Sequence, residues 1–157
     1  MENSIAEIEN GYRTIATSSG MSSISISLLS FLSKDDHCLI SDCSYYPTKK
    51  FANKILSRFG VNIDFYDPTN IESIKKKINK KTKIIFMESP ASLTFEIENI
   101  SEIIKIAKKK KIITMLDNSW ATPFYFSPID IGIDISILAA TKYISGHADV
   151  MLGLITV

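Results

Sequence analysis

Short apolar runs that alternate with stretches of helical spacing constrain this chain more than any other feature of it. "HCLISD" (37–42) is a run for a buried strand that ends in polar residues, and "PTKKFANKILSRFG" (47–60) spaces Phe51, Ile55, Leu56 and Phe59 as a helix would. Gly60 then supplies a natural C-cap. "VNIDFYD" alternates like a strand, "NIESIKKKIN" returns to helical spacing, and "TKIIFMESP" is a β-rich run closed by Pro90. The cycle repeats with the amphipathic "ENISEIIKIAKKKK", the buried strand "IITMLD", and two further strands in "IDISILAAT" and "MLGLITV". At the front, "EIENGYRTIATSSGMSSISISLLSFLS" predicts a helix, a turn at "SSG" and a second helix from about Met21. Such alternation implies an α/β fold, with a mostly parallel sheet flanked by helices on both faces.

The length of 157 residues suits one ordinary domain with one substantial core. With 45% hydrophobic and 22% charged residues, the composition is that of a globular chain. A net charge of +1 offers no electrostatic footprint for nucleic acid, and "KKKINKKTK" and "KKKK" read as solvated helix ends and turns. No apolar stretch reaches the ~18 residues of a membrane span, and the acidic "MENSIAEIENGY" lacks the layout of a secretory signal. The two cysteines, Cys38 and Cys43, make neither a disulfide framework nor a zinc pattern, so no metal is expected and a cytoplasmic location is the simplest reading.

In sheets of this kind ligands bind beyond the carboxyl ends of the strands. That singles out "DCSYYPT", "ESPAS", "LDNSWATP" and "AATKYISGH", together with "SSGMSS", where a glycine opens a helix and backbone N–H groups can approach an anion. Lys142 stands alone at the end of an apolar run, unlike the clustered lysines elsewhere. A lysine withdrawn from water is either paired or reactive; read by itself, Lys142 is better taken as a side chain snorkelling from a strand end. Asp117 closes an apolar strand, where a carboxylate needs a cationic partner or a turn to cap.

Taken together and in order, "SSGMSS", "DCSYYPT", "FMESPAS", "LDNSWATP" and "DISILAATKYISGHADVMLG" resemble the pyridoxal-phosphate enzymes of cysteine and methionine metabolism, the cystathionine lyase and synthase group. The resemblance covers essentially the whole chain. It implies the large domain of a fold type I enzyme (aspartate aminotransferase-like) with pyridoxal 5'-phosphate as cofactor. Lys142 matches the lysine that joins the cofactor aldehyde and serves as catalytic base, and Asp117 matches the partner of the pyridinium nitrogen. Tyr45 matches the tyrosine that stacks on the ring, in a stretch similar to the family's Tyr-x-Pro-Thr. Gly20 and Met21 match the backbone donors to the cofactor phosphate, and Thr141 matches a hydroxyl ligand of that phosphate. His147 in "SGHAD" is expected to orient the turn after the lysine, with Trp120 and Asn118 as packing and turn residues. Glu88 and Ser89 face the site without an assigned role.

Within the group the cystathionine β-lyase branch is the nearer match. "ESPASL" stands where γ-lyases and γ-synthases commonly have "ETPTNP", so that Ser92 replaces an asparagine, and "AATKY" stands for "SATKY". The implied reaction is β-elimination of L-cystathionine, an amino-acid thioether, to homocysteine, pyruvate and ammonia. The sister activities are cystathionine γ-synthase, cystathionine γ-lyase and methionine γ-lyase. Family members are longer, form homo-oligomers and complete one another's sites. Residues 1–157 are therefore expected to be a partial large domain without the N-terminal arm and C-terminal domain. The arginine that clamps the substrate carboxylate belongs to that second domain, and neither Arg13 nor Arg58 lies in a matching motif. Three roles follow: a lyase completed by another polypeptide, a cofactor-binding but incompetent fragment, or a structural module that keeps the fold.

Overall fold

A computed structural model describes all 157 residues. In chain order the elements are α1 (Glu2–Ile8), β1 (Thr14–Thr17), α2 (Gly20–Phe31), β2 (His37–Ser41), α3 (Tyr46–Lys54), β3 (Asn62–Tyr66), α4 (Ile71–Lys77) and β4 (Thr82–Glu88). They continue with α5 (Ile100–Lys110), β5 (Ile113–Asp117), the short α6 (Thr122–Tyr125) and α7 (Pro128–Ile131), β6 (Ile135–Leu138) and β7 (Gly153–Thr156). The strands form one seven-stranded sheet in the order β1-β7-β6-β5-β4-β2-β3. The pairs from β3 through β2, β4 and β5 to β6 are parallel, while β7 runs antiparallel to both β6 and β1.

Alternation along the central strands divides the core between two faces. Cys38, Ile40, Ile84 and Phe86 pack with Ile24 and Leu28 of α2 and Ala52 of α3. Their neighbours Leu39, Ile85 and Met87 point the other way, onto Ile74 of α4 and Ile103 and Ala107 of α5. Both cysteines are free and buried. The lysine clusters lie in the last turns of α4 and α5, where cations oppose the negative end of the helix dipole. Asn70 and Asn99 cap the other ends by accepting from the Glu72 and Glu102 amides.

Two local expectations are corrected. The stretch expected to be a single helix over 47–60 divides at Ile55: α3 ends at Lys54, and a 3₁₀ turn over Leu56–Phe59 leads to Gly60 in the left-handed region at φ 80°. At the front, the expected first helix stops at Ile8, and Thr14–Thr17 is a strand. Asn10 adopts φ 52°, which ends the helix, and the β-branched Thr14, Ile15 and Thr17 pair with β7. The hydroxyls of Thr14 and Thr156 meet at 2.8 Å across that pair. This strand depends on a partner at the far end of the chain, which local periodicity does not reveal.

Candidate active site

The carboxyl ends of β2, β4, β5 and β6 open into one cleft of about 850 Å³, closed at one side by the start of α2. Gly20, Met21, Tyr45, Asp117, Thr141 and Lys142 all line it. Glu88, Ser92, Ser119 and Trp120 join them.

The start of α2 opens into the cleft. Ser19 caps it, its hydroxyl accepting from the Ser22 amide at 3.1 Å while its carbonyl accepts from the Ser23 amide at 3.0 Å. The N–H groups of Gly20 and Met21 have no intrahelical carbonyl within reach, as for the first residues of any helix. Gly20 is needed for the approach of this end to β6, because a Cβ there would lie 2.6 Å from the Cβ of Ala139. Gly153 of β7 gives the same clearance from beneath, where a Cβ would run into the Ser19 carbonyl and the Ser23 hydroxyl.

Asp117 forms the floor of the cleft at 8% exposure. Its Oδ1 accepts from the Ser119 amide at 3.0 Å. Burial pushes its carboxyl up from the usual range, while the Ser119 bonds and the positive charge of Lys142 pull the other way. Tyr45 precedes α3 and is 46% exposed, and its ring centroid lies 5.9 Å from Lys142 Nζ. Lys142 itself is exposed, which differs from the withdrawn lysine that the sequence suggested. The cleft is open above it, and only its backbone is fixed, through Ala139 and Gly146. Thr141 is placed beside it, but its hydroxyl accepts from the Leu152 amide at 2.9 Å and faces the Leu152 carbonyl at 3.2 Å. The threonine thus holds the segment leading into β7, and its proton must change partner before it can reach a phosphate.

His147 lies outside the cleft: its Nδ1 donates to the Ser145 carbonyl at 2.6 Å, and the ring is exposed. Asn118 is fully buried and donates to the Phe126 carbonyl at 2.9 Å. Trp120 packs edge-on against Phe95. Sequence reasoning left Glu88 without a role and overlooked Glu98 and Ser119. Glu88 accepts from the Tyr45 amide at 2.7 Å and from the Ser92 amide at 3.0 Å. Glu98 accepts from the Glu88 amide at 3.0 Å and the Tyr66 hydroxyl at 2.5 Å. Burial pushes both carboxyls up to about 7, with the facing negative charge of Asp117 adding to the effect at Glu88. The signal was present as an acidic residue ending an apolar strand, but its partners come from two separate loops, after β2 and after β4.

The donor set fits a phosphorylated pyridine aldehyde. A buried carboxylate suits a ring cation, an aromatic face suits the ring, a helix N-terminus suits the phosphate and an amine suits the aldehyde. Comparison with known proteins points the same way. The pattern of the Cys/Met metabolism PLP-dependent enzymes matches residues 1–157. An L-alanine/L-glutamate racemase of Wolbachia pipientis is 43% identical over 155 residues, covering 99% of this chain and 38% of the relative. A cystathionine beta-lyase of Bacillus subtilis is 40% identical, covering 100% of this chain and 40% of the relative. A solved Campylobacter jejuni structure containing N'-pyridoxyl-lysine-5'-monophosphate superposes with a TM-score of 0.95 at 32% identity, over 99% of this chain and 38% of that one. The chain thus spans about two fifths of the length of these relatives. On its sequence, its fold and the contents of its cleft, it belongs to the pyridoxal-phosphate-dependent enzyme family of cysteine and methionine metabolism.

Proposed function

We propose that this chain forms the cofactor-binding part of a carbon–sulfur lyase that cleaves L-cystathionine by β-elimination to homocysteine, with water converting the remaining three-carbon fragment to pyruvate and ammonia. The observation that carries the reading is the convergence of Lys142, the Tyr45 ring and the buried Asp117 in one cleft beside the open end of α2. Gly20 and Met21 would hold the phosphate through their N–H groups, the Tyr45 ring would pack against the pyridine, and the Asp117 carboxylate would keep a proton on the ring nitrogen. Pyridoxal phosphate, when bound, supplies the sink for the electron pair released at the substrate Cα. Lys142 Nζ would hold the cofactor aldehyde and, as a free amine, is the group placed to take the substrate Cα proton as general base. The Cβ–S bond breaks with its electron pair on sulfur, and the proton carried by Lys142 Nζ is available to the leaving thiolate.

Neither Arg13 nor Arg58 lines the cleft, and an arginine from outside residues 1–157 would suit the substrate carboxylate. A neighbouring subunit of a homo-oligomer or a complementing C-terminal polypeptide would meet that need. The two free cysteines suit a reducing cytoplasm. The Wolbachia relative favours amino-acid racemisation as a second reading. Racemisation shares the removal of the Cα proton by Lys142 and differs in returning a proton to the opposite face of Cα, with no bond broken at Cβ. The γ-lyase and γ-synthase activities share the same first step.

The test begins with absorption spectra of wild type and Lys142→Ala with added pyridoxal phosphate. A visible band in wild type that borohydride fixes onto Lys142, and that the variant lacks, is the expected result. A folded wild type without the band overturns the reading. Pyruvate release from cystathionine and inversion of L-alanine then separate the lyase from the racemase.

A further inference from the structure

Glu88 is an unusual residue for the end of a core strand. It is 6% exposed, and the register of β4 on β5 sets it directly opposite Asp117, so two carboxyl groups share one buried edge with no cation bonded to Glu88. Such a pair costs stability unless its members are held by donors. Glu88 is held by three. Its Oε2 accepts from the Tyr45 amide at 2.7 Å, and its Oε1 accepts from the Ser92 amide at 3.0 Å and also from the Ser92 hydroxyl. Its own N–H is fixed by Glu98 at 3.0 Å. One side chain therefore ties the loop after β2 to the loop after β4, beside the floor of the cleft.

We propose that Glu88 is a positioning residue for the cofactor: by bridging the Tyr45 and Ser92 backbones next to Asp117, it sets the Tyr45 ring at the height and tilt at which the ring and the Asp117 carboxylate engage the same pyridine. The proposal rests on the cofactor reading above. Both halves of the bridge require acceptor oxygens. An amide in place of the carboxylate would turn an NH₂ group toward one of the backbone N–H donors, because Tyr45 N and Ser92 N can only donate. An aspartate would keep the negative charge beside Asp117 but is one methylene too short to span both loops.

The experiment measures the dissociation constant for pyridoxal phosphate and the visible circular dichroism per bound cofactor at saturation. Proteins compared are wild type, Glu88→Gln, Glu88→Asp and a destabilised control, Ile103→Val, remote from the cleft on α5. Amide exchange at Tyr45 is followed without cofactor. Losing one charge-assisted bond predicts about tenfold weaker binding in both Glu88 variants. Their dichroism per bound cofactor should fall and Tyr45 exchange should quicken, while the control matches wild type in all three. Folded Glu88→Gln with wild-type affinity and dichroism overturns the proposal, as does a Glu88→Asp chain that behaves as wild type, which would assign the effect to charge alone. A wild type that binds no cofactor overturns the cofactor reading itself, a result distinct from either. If Glu88→Gln does not fold, Glu88→Asp decides.

Discussion

Asp117 shows how a single residue can be costly to the empty fold and still suit its chemistry. Buried and with no salt-bridge partner, its carboxyl is pushed upward by desolvation. Asp117→Asn should therefore stabilise the cofactor-free chain at pH 8, raising Tm by about 2–4 °C, the shift that roughly 1 kcal/mol produces in a domain of this size. The same substitution should weaken binding of pyridoxal phosphate, because an amide does not hold a proton on the ring nitrogen. Thermal unfolding and a cofactor titration check the two halves separately. The roles proposed for Lys142, Asp117 and Tyr45 could be put to numbered residues because the resemblance runs through the contiguous motifs "AATKY", "LDN" and "YYPT". Glu88 could not be, since its three donors come from Tyr45 and Ser92, which only the folded sheet brings to one carboxylate.

Among the elements, α2 and β7 form the tightest junction at the cleft. The antiparallel β7 slides Gly153 under the first turn of α2, and a side chain at that position would collide with Ser19 and Ser23. Gly153→Ala should cost about 1–3 kcal/mol, the usual penalty for overpacking, and should weaken phosphate binding by shifting the Gly20 and Met21 amides. Unfolding by urea and a titration with pyridoxal phosphate measure both effects. Most helices and strands were legible from periodicity, as in α5, where Asn99 caps the start and a lysine run closes the end. β1 was not, because four residues with two threonines carry too little pattern to stand apart from a helix, and their partner lies in the last strand.

For the molecule as a whole, buried acids set the response to pH. Glu9, Glu88, Glu98 and Asp117 all have raised carboxyls, with Glu88 and Glu98 near 7. The native chain therefore binds protons more tightly than the unfolded one, whose glutamates titrate near ~4.3. Stability from these groups is fully present below that value and is lost as pH rises through about 7. His37, lowered by burial, acts oppositely and favours the native chain above its unfolded value of ~6.5. With four acids against one histidine, Tm of the cofactor-free chain should rise as pH falls from 7.5 to about 5. Glu98→Gln should flatten that slope, since its amide can still accept from the Glu88 N–H without ever acquiring a charge. Scanning calorimetry of both proteins across the window provides the check. The sequence by itself determined the α/β alternation, the strand ends at which a ligand would gather and the residues that match the cofactor motifs, because each is written in local periodicity or in a contiguous run. Tertiary structure alone decided the reversal of β7, the strand at Thr14–Thr17, the exposure of Lys142 and the carboxyl bridge at Glu88. Each of these depends on which distant segments meet, and burial and hydrogen-bond satisfaction between them are properties of the packed sheet rather than of any stretch of chain.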